Sequence, residues 1–166
     1  SEGFEAPYSF KPESMVCLDN LLVSYKNGAA WTHDSDTYAN FYGTQYDVEV
    51  VGVFNDLMTA KKTFESLFQT GTDVWTCPEI TTSLLSYRTP SPANQTTSLN
   101  ESKFAELEGE WSAALRRDTN SPGGMINGNY LKGQYIIIKF RAKTPANFVL
   151  LNSASVYFIE SPLNNK

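Results

Sequence analysis

Residues 22–56 read LVSYKNGAAWTHDSDTYANFYGTQYDVEVVGVFND. Near their start, Asn27-Gly28 separates two short extended runs, residues 22–26 and 29–33. An Asn-Gly pair is the strongest short-range signal for a two-residue hairpin turn, because both central residues adopt a positive φ. The stretch therefore predicts a β-hairpin, and a further short strand is expected just before it, at 15–18.

Farther along the same stretch, residues 46–55 alternate in polarity as a β-strand does. One face carries no charge, and we expect it to point into the core: Tyr46, Val48, Val50, Gly52 and Phe54. Gly52 within this face indicates a bulge or a close backbone approach. Between the hairpin and this strand, aromatic residues are dense enough to seed a core.

The remainder of the chain continues in short β-runs separated by turn signals. Further strands are predicted at 63–70, 74–77, 130–143 and 148–160, and a helical turn at 57–61. The last two strands are expected to pair with each other as antiparallel neighbours. Residues 86–100 are rich in Pro, Thr, Ser and Asn, which predicts an exposed loop suited to binding a partner.

Residues 102–118 fit two structures. Apolar residues at helical spacing would suit a helix: Phe104, Leu107, Trp111 and Leu115. Alternatively, Glu108-Gly109-Glu110 is a turn between two strands, with Leu107, Trp111, Ala113 and Leu115 on one face. Gly109 costs a helix interior about 1 kcal/mol but suits a turn, and this favours the hairpin.

Short strands, frequent turns and no alternation of strands with helices predict an all-β fold. We expect an antiparallel β-sandwich, jelly-roll-like, with short helical turns at most. Residues 1–14 contain Pro7 and Pro12 and predict an irregular N-terminal arm, with 15–166 forming a single β-sandwich domain. Because the chain starts at Ser1 and not at Met, we expect it to be a processed product or the ordered part of a longer polypeptide.

The composition excludes several classes of protein. The chain has 166 residues, 41% of them hydrophobic, and a net charge of −5. No apolar run approaches the ~18 residues of a membrane-spanning helix, and the acidic balance argues against a nucleic-acid surface over the whole chain. The two cysteines, Cys17 and Cys77, either pair as a disulfide or remain as reduced thiols.

Catalytic signals are weak. His33 next to Asp34 and near Asp36 suggests a metal or acid–base site, but a polar strand end explains these residues better. The three glutamates Glu106, Glu108 and Glu110 suggest glycosidase carboxylates, although they flank a predicted turn and suit a solvated face. Phosphate-loop and nucleophile-elbow motifs are absent from the sequence. We therefore expect no enzyme, and no catalytic, cofactor-binding or metal-binding residues.

Two binding surfaces are conceivable from residue types. A phosphate-contacting patch would use the basic residues of the second half, which otherwise are solvated strand ends and loops: Arg116, Arg117, Lys132, Lys139, Arg141 and Lys143. A sugar-binding face would use the tryptophans, which otherwise are core residues: Trp31, Trp75 and Trp111.

Several motifs, in order along nearly the whole chain, resemble a known family. They are Ser24-Tyr25-Lys26-Asn27-Gly28, Trp31-x-His33-Asp34, Phe41-Tyr42-Gly43-x-Gln45-Tyr46, Phe54-Asn55-Asp56, Trp111 with Arg116-Arg117-Asp118, Gly128-x-Tyr130-x-Lys132-Gly133-Gln134, and Val156-Tyr157-Phe158-Ile159-Glu160-Ser161-Pro162. In these motifs the chain resembles the tail muzzle, or stabilisation, proteins of crAss-like bacteriophages. The motifs read as hairpin turns and packing positions, and no catalytic residue is carried over.

The resemblance implies the C-terminal portion of a large virion protein located in the tail. It implies a structural role: closing the distal tail end, retaining packaged DNA and taking part in genome release. The implied partners are other copies of the chain and neighbouring tail proteins in a ring, and the N-terminal part of the same precursor. Packaged DNA and host-surface glycans are further candidates. The alternative function is a carbohydrate-binding β-sandwich for host adsorption, for which exposed tryptophans would be needed.

Overall fold

The computed structural model describes residues 10–33, 36–83, 94–120 and 128–161. Within these ranges every strand pairing is antiparallel, and the single helical element is one 3-10 turn at Glu101–Lys103. The predicted all-β, antiparallel fold is therefore confirmed. The chain divides into two compact units: unit 1 is Ser1–Tyr46 with Pro145–Phe148, and unit 2 is Asp47–Thr144 with Val149–Lys166. A single domain over 15–166 stays a prediction, and each unit is described by itself.

Two small sheets are formed by the residues of unit 1 that the structure describes. Its strands are β1 (Ser14–Leu18), β2 (Leu21–Lys26), β3 (Ala29–Thr32), β4 (Asn40–Phe41) and β5 (Thr44–Gln45). The first three form one sheet in the order β1-β2-β3, and β4 pairs with β5. The predicted strand at 15–18 and the hairpin that follows it are thus confirmed.

The hairpin turns of unit 1 have the backbone conformation that their sequences favour. Asn27 and Gly28 both have positive φ, 53° and 74°, as a two-residue type I′ turn requires. Tyr42 and Gly43 repeat this geometry between β4 and β5, with φ of 55° and 76°. The sequence did not predict this second hairpin, because Tyr is a poor left-handed residue. The Asp34-Ser35-Asp36 cluster, whose short polar side chains favour a turn, includes Asp34 and Ser35, which lie outside the described residues.

The described residues of unit 2 form nine strands in two sheets. They are β6 (Glu49–Phe54), β7 (Lys62–Gly71), β8 (Trp75–Thr82), β9 (Thr96–Leu99), β10 (Ala105–Leu107), β11 (Glu110–Ala114), β12 (Lys132–Gly133), β13 (Ile136–Ala142) and β14 (Leu151–Glu160). One sheet has the order β6-β13-β8-β9, and the other β10-β11-β7-β12 with β14 also paired to β7. Because β11 and β14 pair with the same residues of β7, they lie on its opposite edges.

The core of unit 2 lies between these two sheets, as in a sandwich. Strand β13 shows the predicted alternation, with Ile136, Ile138 and Phe140 fully buried. Apolar side chains of β7 and β11 pack with them from the opposite sheet, including Phe64, Leu67 and Ala113. Burial of such apolar area, at roughly 25 cal/mol per Å², is the main force that holds the two sheets together.

Residues 102–118 form the hairpin and not the helix. β10 pairs with β11, and the turn residues Glu108 and Gly109 both have positive φ, 53° and 80°. Ala113 and Leu115 are buried as the strand reading expected, whereas Leu107 is exposed. A helix would have required Gly109 at a negative φ, so this glycine decided between the two structures.

The predicted pairing of 130–143 with 148–160 is wrong. Strand β13 lies between β6 and β8, whereas β14 pairs with β7 in the other sheet. The intervening segment includes residues 145–148, which belong to unit 1, so it does not close a tight hairpin. The run 130–143 is also divided into β12 and β13, which join different sheets.

Other boundaries differ from the expectations for local reasons. β8 does not end before Pro78 but continues through it. The register of β8 shifts near Pro78 against both of its neighbours, β13 and β9, and such a bulge tolerates the missing N–H of proline. Within the expected loop 86–100, Thr96–Leu99 form strand β9 with Leu99 buried, and residues 84–93 lie outside the described residues. The segment 57–61, predicted as a helical turn, forms a β-turn instead: the N–H of Ala60 donates to the carbonyl of Leu57, and Leu57 has a positive φ of 54°.

Candidate interaction surfaces and an aromatic cavity

Strand β6 is an edge strand with unusual side chains. Among the described residues it pairs only with β13, and none of them pairs with its other edge. The strand predicted at 46–55 begins only at Glu49. Of the residues predicted to face the core, Phe54 packs against it, whereas Val50 is exposed. On its other face, Val51 and Val53 are 58% and 61% exposed. Edge strands are normally protected by lysine, proline or a bulge, and β6 has none of these.

Strand β14 is a second edge of unit 2. It is ten residues long, has a single charged residue, Glu160, at its end, and pairs only with β7 within the part of the chain that the structure describes. Tyr157 and Ile159 are exposed on its outer face. Like β6, it presents unpaired backbone N–H and C=O groups beside exposed apolar side chains, which is the arrangement that accepts an added strand.

The two edges lie on the same side of unit 2. A shallow gap, too narrow to hold a water molecule, is lined by Phe54 of β6, by Val156 and Phe158 of β14, and by residues of β7 and the turn before it. Leu57 and Met58, in the turn after β6, are also exposed. We call the unpaired edges of β6 and β14, with Leu57 and Met58, the edge surface.

A buried lysine lies beneath this surface. Lys62, in β7, is fully buried and donates a hydrogen bond from Nζ to the carbonyl oxygen of Gln134. Its ammonium lies 5.3 Å from the centre of the Phe158 ring. Burial lowers the pKa of Lys62, and the charge of Asp56 opposes this shift. The contacts with Gln134 and Phe158 compensate part of the cost of burying the cation.

The basic residues that suggested a phosphate patch are mostly engaged by neighbours. Lys139 lies 3.5 Å from Glu79, Arg141 lies 2.6 Å from Glu49, and Lys143 lies 2.5 Å from Glu101. The hydrogen bond from Arg141 lowers the pKa of Glu49. Arg117 stacks on the ring of Tyr130 at 4.3 Å and donates to its hydroxyl and to the carbonyl of Gly128. These pairings leave little uncompensated positive charge for binding phosphates.

The tryptophans do not form one exposed face. Trp75 is only 3% exposed and belongs to the core of unit 2, so it cannot contact a glycan. Trp111 in β11 and Trp31 in β3 are half-buried. The three glutamates of the β10–β11 hairpin are exposed at its turn, as the solvated reading expected. Among the described residues no group of His, Cys, Asp and Glu could hold a metal ion.

Both cysteines are free thiols. Cys17 is exposed on β1, and Cys77 is buried in β8, where burial raises the pKa of its thiol to about 12. The disulfide alternative is therefore wrong. In the part of the chain that the structure describes, no helix is long and apolar enough to cross a membrane.

Unit 1 contains a buried polar centre that the sequence did not reveal. Ser24 of β2 is fully buried, and its Oγ lies 2.5 Å from Nε2 of His33 and 3.0 Å from the hydroxyl of Tyr42. The hairpin β2–β3 brings His33 beside Ser24, and the Tyr42-Gly43 turn brings Tyr42 to the same point. His33 is thus a packed, hydrogen-bonded residue, and its neighbour Asp34 lies outside the described residues.

Aromatic rings surround this polar centre. The ring of Phe10 stacks on His33 at 5.0 Å and on Phe41 at 4.7 Å between centroids. Trp31 meets Tyr42 edge to face at 5.7 Å. Such pairs contribute about 0.5–1.5 kcal/mol each beyond their area burial. The aromatic residues expected to seed a core therefore pack together in unit 1 without forming a buried core, because Trp31, Phe41 and Tyr42 are half-buried and Tyr38 and Tyr46 are exposed.

An open cavity of about 420 Å³ lies at this cluster. Its lining combines aromatic rings with uncharged hydrogen-bonding groups: Ala30, Trp31, Thr32, His33, Thr37, Asn40, Phe41 and Tyr42. The indole Nε1 of Trp31 is buried and has no hydrogen-bond partner among the described residues. Of the signals that could have located this cavity, only the Trp31-x-His33 and Phe41-Tyr42-Gly43 motifs were visible in the sequence.

Comparison with known proteins gives one family. The model of the crassvirus muzzle protein C-terminal domain matches residues 36–118, which is half of the chain. No curated protein matches the chain. The match covers the β4–β5 hairpin, the first edge strand and the β10–β11 hairpin, all of which the fold contains. The chain therefore belongs to the family of crassvirus muzzle protein C-terminal domains.

Proposed function

We propose that this chain is a structural domain of a bacteriophage tail, where it closes the distal tail end, retains packaged DNA and takes part in its release. Family membership supports a muzzle structural protein that assembles with other virion proteins. The observation that carries the proposal is the edge surface of unit 2. An isolated domain rarely leaves two apolar edge strands uncovered on one side, whereas a subunit of an assembly covers them with a neighbour.

The neighbours are other copies of this chain and adjacent tail proteins arranged in a ring. A ring needs a head-to-tail contact, in which the edge surface meets a different surface of the next subunit. The N-terminal part of the same precursor is a further partner. Strand addition at β6 or β14 would satisfy unpaired backbone groups and bury Val51, Val53 and Tyr157 at the same time.

DNA retention is proposed to be steric. The net charge is −5, and the lysine and arginine side chains of β13 and of the segment after it form ion pairs with acidic residues. Such a surface repels a DNA backbone and does not hold it. A closure that blocks DNA without binding it also releases DNA without having to break phosphate contacts.

The test places a lysine on the first edge strand. Val53→Lys keeps the domain folded, because Val53 is exposed and surface changes usually alter stability by less than about 0.5 kcal/mol. It charges the edge that a neighbour would cover, so we expect the variant to be lost from purified phage particles. Mass spectrometry of particles produced with the variant gene measures its incorporation.

Leu107→Lys is the matched control, because Leu107 is 76% exposed in β10, away from β6 and β14 in the sheet order. It should be incorporated like the wild type. Normal incorporation of Val53→Lys would contradict the assembly role of the edge surface. Finding the wild-type chain only as a free monomer in infected cells, and never in particles, would overturn the virion function itself.

A further inference from the structure

The cavity of unit 1 has a lining that is specific in its chemistry. Its volume of about 420 Å³ falls in the range of small-molecule sites, roughly 300–1,000 Å³. Six of its eight lining residues carry a side-chain hydrogen-bonding group, and none of the eight carries a fixed charge: the six are Trp31, Thr32, His33, Thr37, Asn40 and Tyr42. The ligand that fits such a lining is uncharged, rich in hydroxyl groups and has an apolar face for aromatic rings.

We propose that this cavity binds a neutral carbohydrate, one or two pyranose units in size. The C–H face of a pyranose carries a slight positive charge and packs on the negative face of an aromatic ring. Trp31, Phe41 and Tyr42 provide such rings at the cavity wall. The sugar hydroxyls, which both donate and accept, match Asn40, Thr32 and Thr37.

Ser24 positions two of the binding groups. A serine hydroxyl donates only one hydrogen bond. If Ser24 donates to Nε2 of His33, the hydroxyl of Tyr42 must donate to Ser24. If Ser24 donates to Tyr42 instead, Nε2 of His33 must donate to Ser24. In either direction, one end of this His33–Ser24–Tyr42 hydrogen-bond network is a donor and the other end is an acceptor. The network can therefore adapt to the hydroxyl orientation of a sugar, while Ser24 itself stays buried and acts as a positioning residue.

The indole N–H of Trp31 is a second observation that favours a polar ligand. A buried donor without a partner costs about 1–3 kcal/mol, and Trp31 lines the cavity. Because Nε1 is closed to solvent, a sugar hydroxyl reaches this N–H only when neighbouring side chains shift, and the bond then recovers part of that cost. An apolar peptide side chain in the cavity would instead leave the indole N–H of Trp31 and the side-chain amide of Asn40 without partners.

Carbohydrate binding here goes beyond the structural role and does not depend on it. A single site of this openness binds weakly, because few sugar atoms are enclosed. Repetition of the domain around a tail would raise the effective affinity for a surface that displays many sugars. The cavity uses Trp31 without the buried Trp75, and so differs from the three-tryptophan face that the sequence suggested.

Saturation-transfer NMR on the purified full chain tests the proposal. The probes are the methyl glycosides of glucose, galactose, mannose and N-acetylglucosamine, with sialic acid and a proline-rich peptide as charged and non-sugar comparisons. We expect transfer from the protein to at least one neutral glycoside. Trp31→Phe keeps a ring but removes the N–H, and should weaken binding about tenfold. Trp111→Phe, the same change in unit 2, should leave binding unaltered.

Ser24→Ala should weaken binding without removing any group that contacts the sugar. Near-UV circular dichroism shows whether each variant is folded. If Trp31→Phe does not fold, Asn40→Ala provides an independent test of the cavity. Retained glycoside binding in folded Trp31→Phe and Asn40→Ala proteins would overturn the proposal. So would binding of the peptide or sialic acid in place of the neutral glycosides, or no transfer to any probe.

Discussion

Gln69 lies fully buried near the end of β7, where its side-chain amide donates to the carbonyl of Trp75 and its side-chain oxygen accepts the N–H of Trp75. These bonds, 2.9 and 3.1 Å long, satisfy the side chain and fix the turn that leads into β8. Lys62 is held in a comparable way at the other end of β7. Buried polar side chains are stable only when such partners exist, and the sequence predicted the strand but not these partners.

The two cysteines lead to a prediction at the residue scale. At pH 8 one thiol per chain, Cys17, should react rapidly with a maleimide, while Cys77 should react only on unfolding, because the thiolate is the reactive form and burial opposes it. Mass spectrometry against time measures this, with Cys17→Ser as the variant that removes the fast reaction. Fast labelling of Cys77 in the native protein would contradict its burial.

The shifted pKa of Cys77 also fixes a pH dependence. Its pKa rises from the usual 9.0 to about 12 in the folded state. Between these values the unfolded chain has lost the thiol proton and the folded chain has kept it, so stability falls as pH rises through this window. Thermal unfolding should therefore show a steeper alkaline loss for the wild type than for Cys77→Ala, whose overall stability is lower because a cavity is left.

At the scale of elements, β7 is the strand to which most of its sheet is attached. It pairs with β11 and β12 along one edge and with β14 along the other. Its last residue, Gly71, lies so close to β14 that a Cβ atom would be only 2.1 Å from the carbonyl oxygen of Leu150. The N–H of Thr72, the next residue after Gly71, donates a hydrogen bond to the same carbonyl of Leu150.

Gly71→Ala is predicted to destabilise the chain by about 1–3 kcal/mol, because the backbone of the segment before β14 must move away. Gly109→Ala is the matched control, since nothing lies within 4 Å of its Cβ position and only the cost of its positive φ, about 1 kcal/mol, applies. Denaturant unfolding measures both. A smaller loss for Gly71→Ala than for Gly109→Ala would contradict the close approach.

At the scale of the whole molecule, charge determines which large partners can bind. The chain has 13 lysines and arginines against 18 aspartates and glutamates. Ion pairs on exposed surfaces contribute little stability, so the pairs of Lys139 and Lys143 with glutamates act mainly by neutralising positive charge. The sequence showed these basic residues, but it did not show that acidic residues distant in the chain would face them.

The chain is therefore predicted not to bind duplex DNA at about 150 mM salt, as measured by gel shift or fluorescence anisotropy. The double variant Glu79→Gln and Glu101→Gln removes two negative charges, changing the net charge from −5 to −3, and frees two lysines. It should bind DNA more strongly than the wild type at low salt. Tight, salt-dependent DNA binding by the wild type would contradict steric retention.

The sequence by itself determined the features that depend on neighbouring residues. Asn27-Gly28 and Gly109 set two hairpins, because Asn and Gly adopt positive φ most readily, and the alternation of Ile136, Ile138 and Phe140 set the buried face of β13. The motifs along the chain also carried the muzzle family, which the match to residues 36–118 confirms.

Only the tertiary structure decided which strands are neighbours. It separated β13 from β14, turned Thr96–Leu99 into a strand, and joined Ser24, His33 and Tyr42 at one cavity. It also placed β6 and β14 at the edges of the sheets that the described residues form. The physical reason is that pairing between distant segments depends on the burial of whole faces and on loop closure, whereas local patterns specify only period and turns. The surfaces proposed to carry function are all products of those distant pairings.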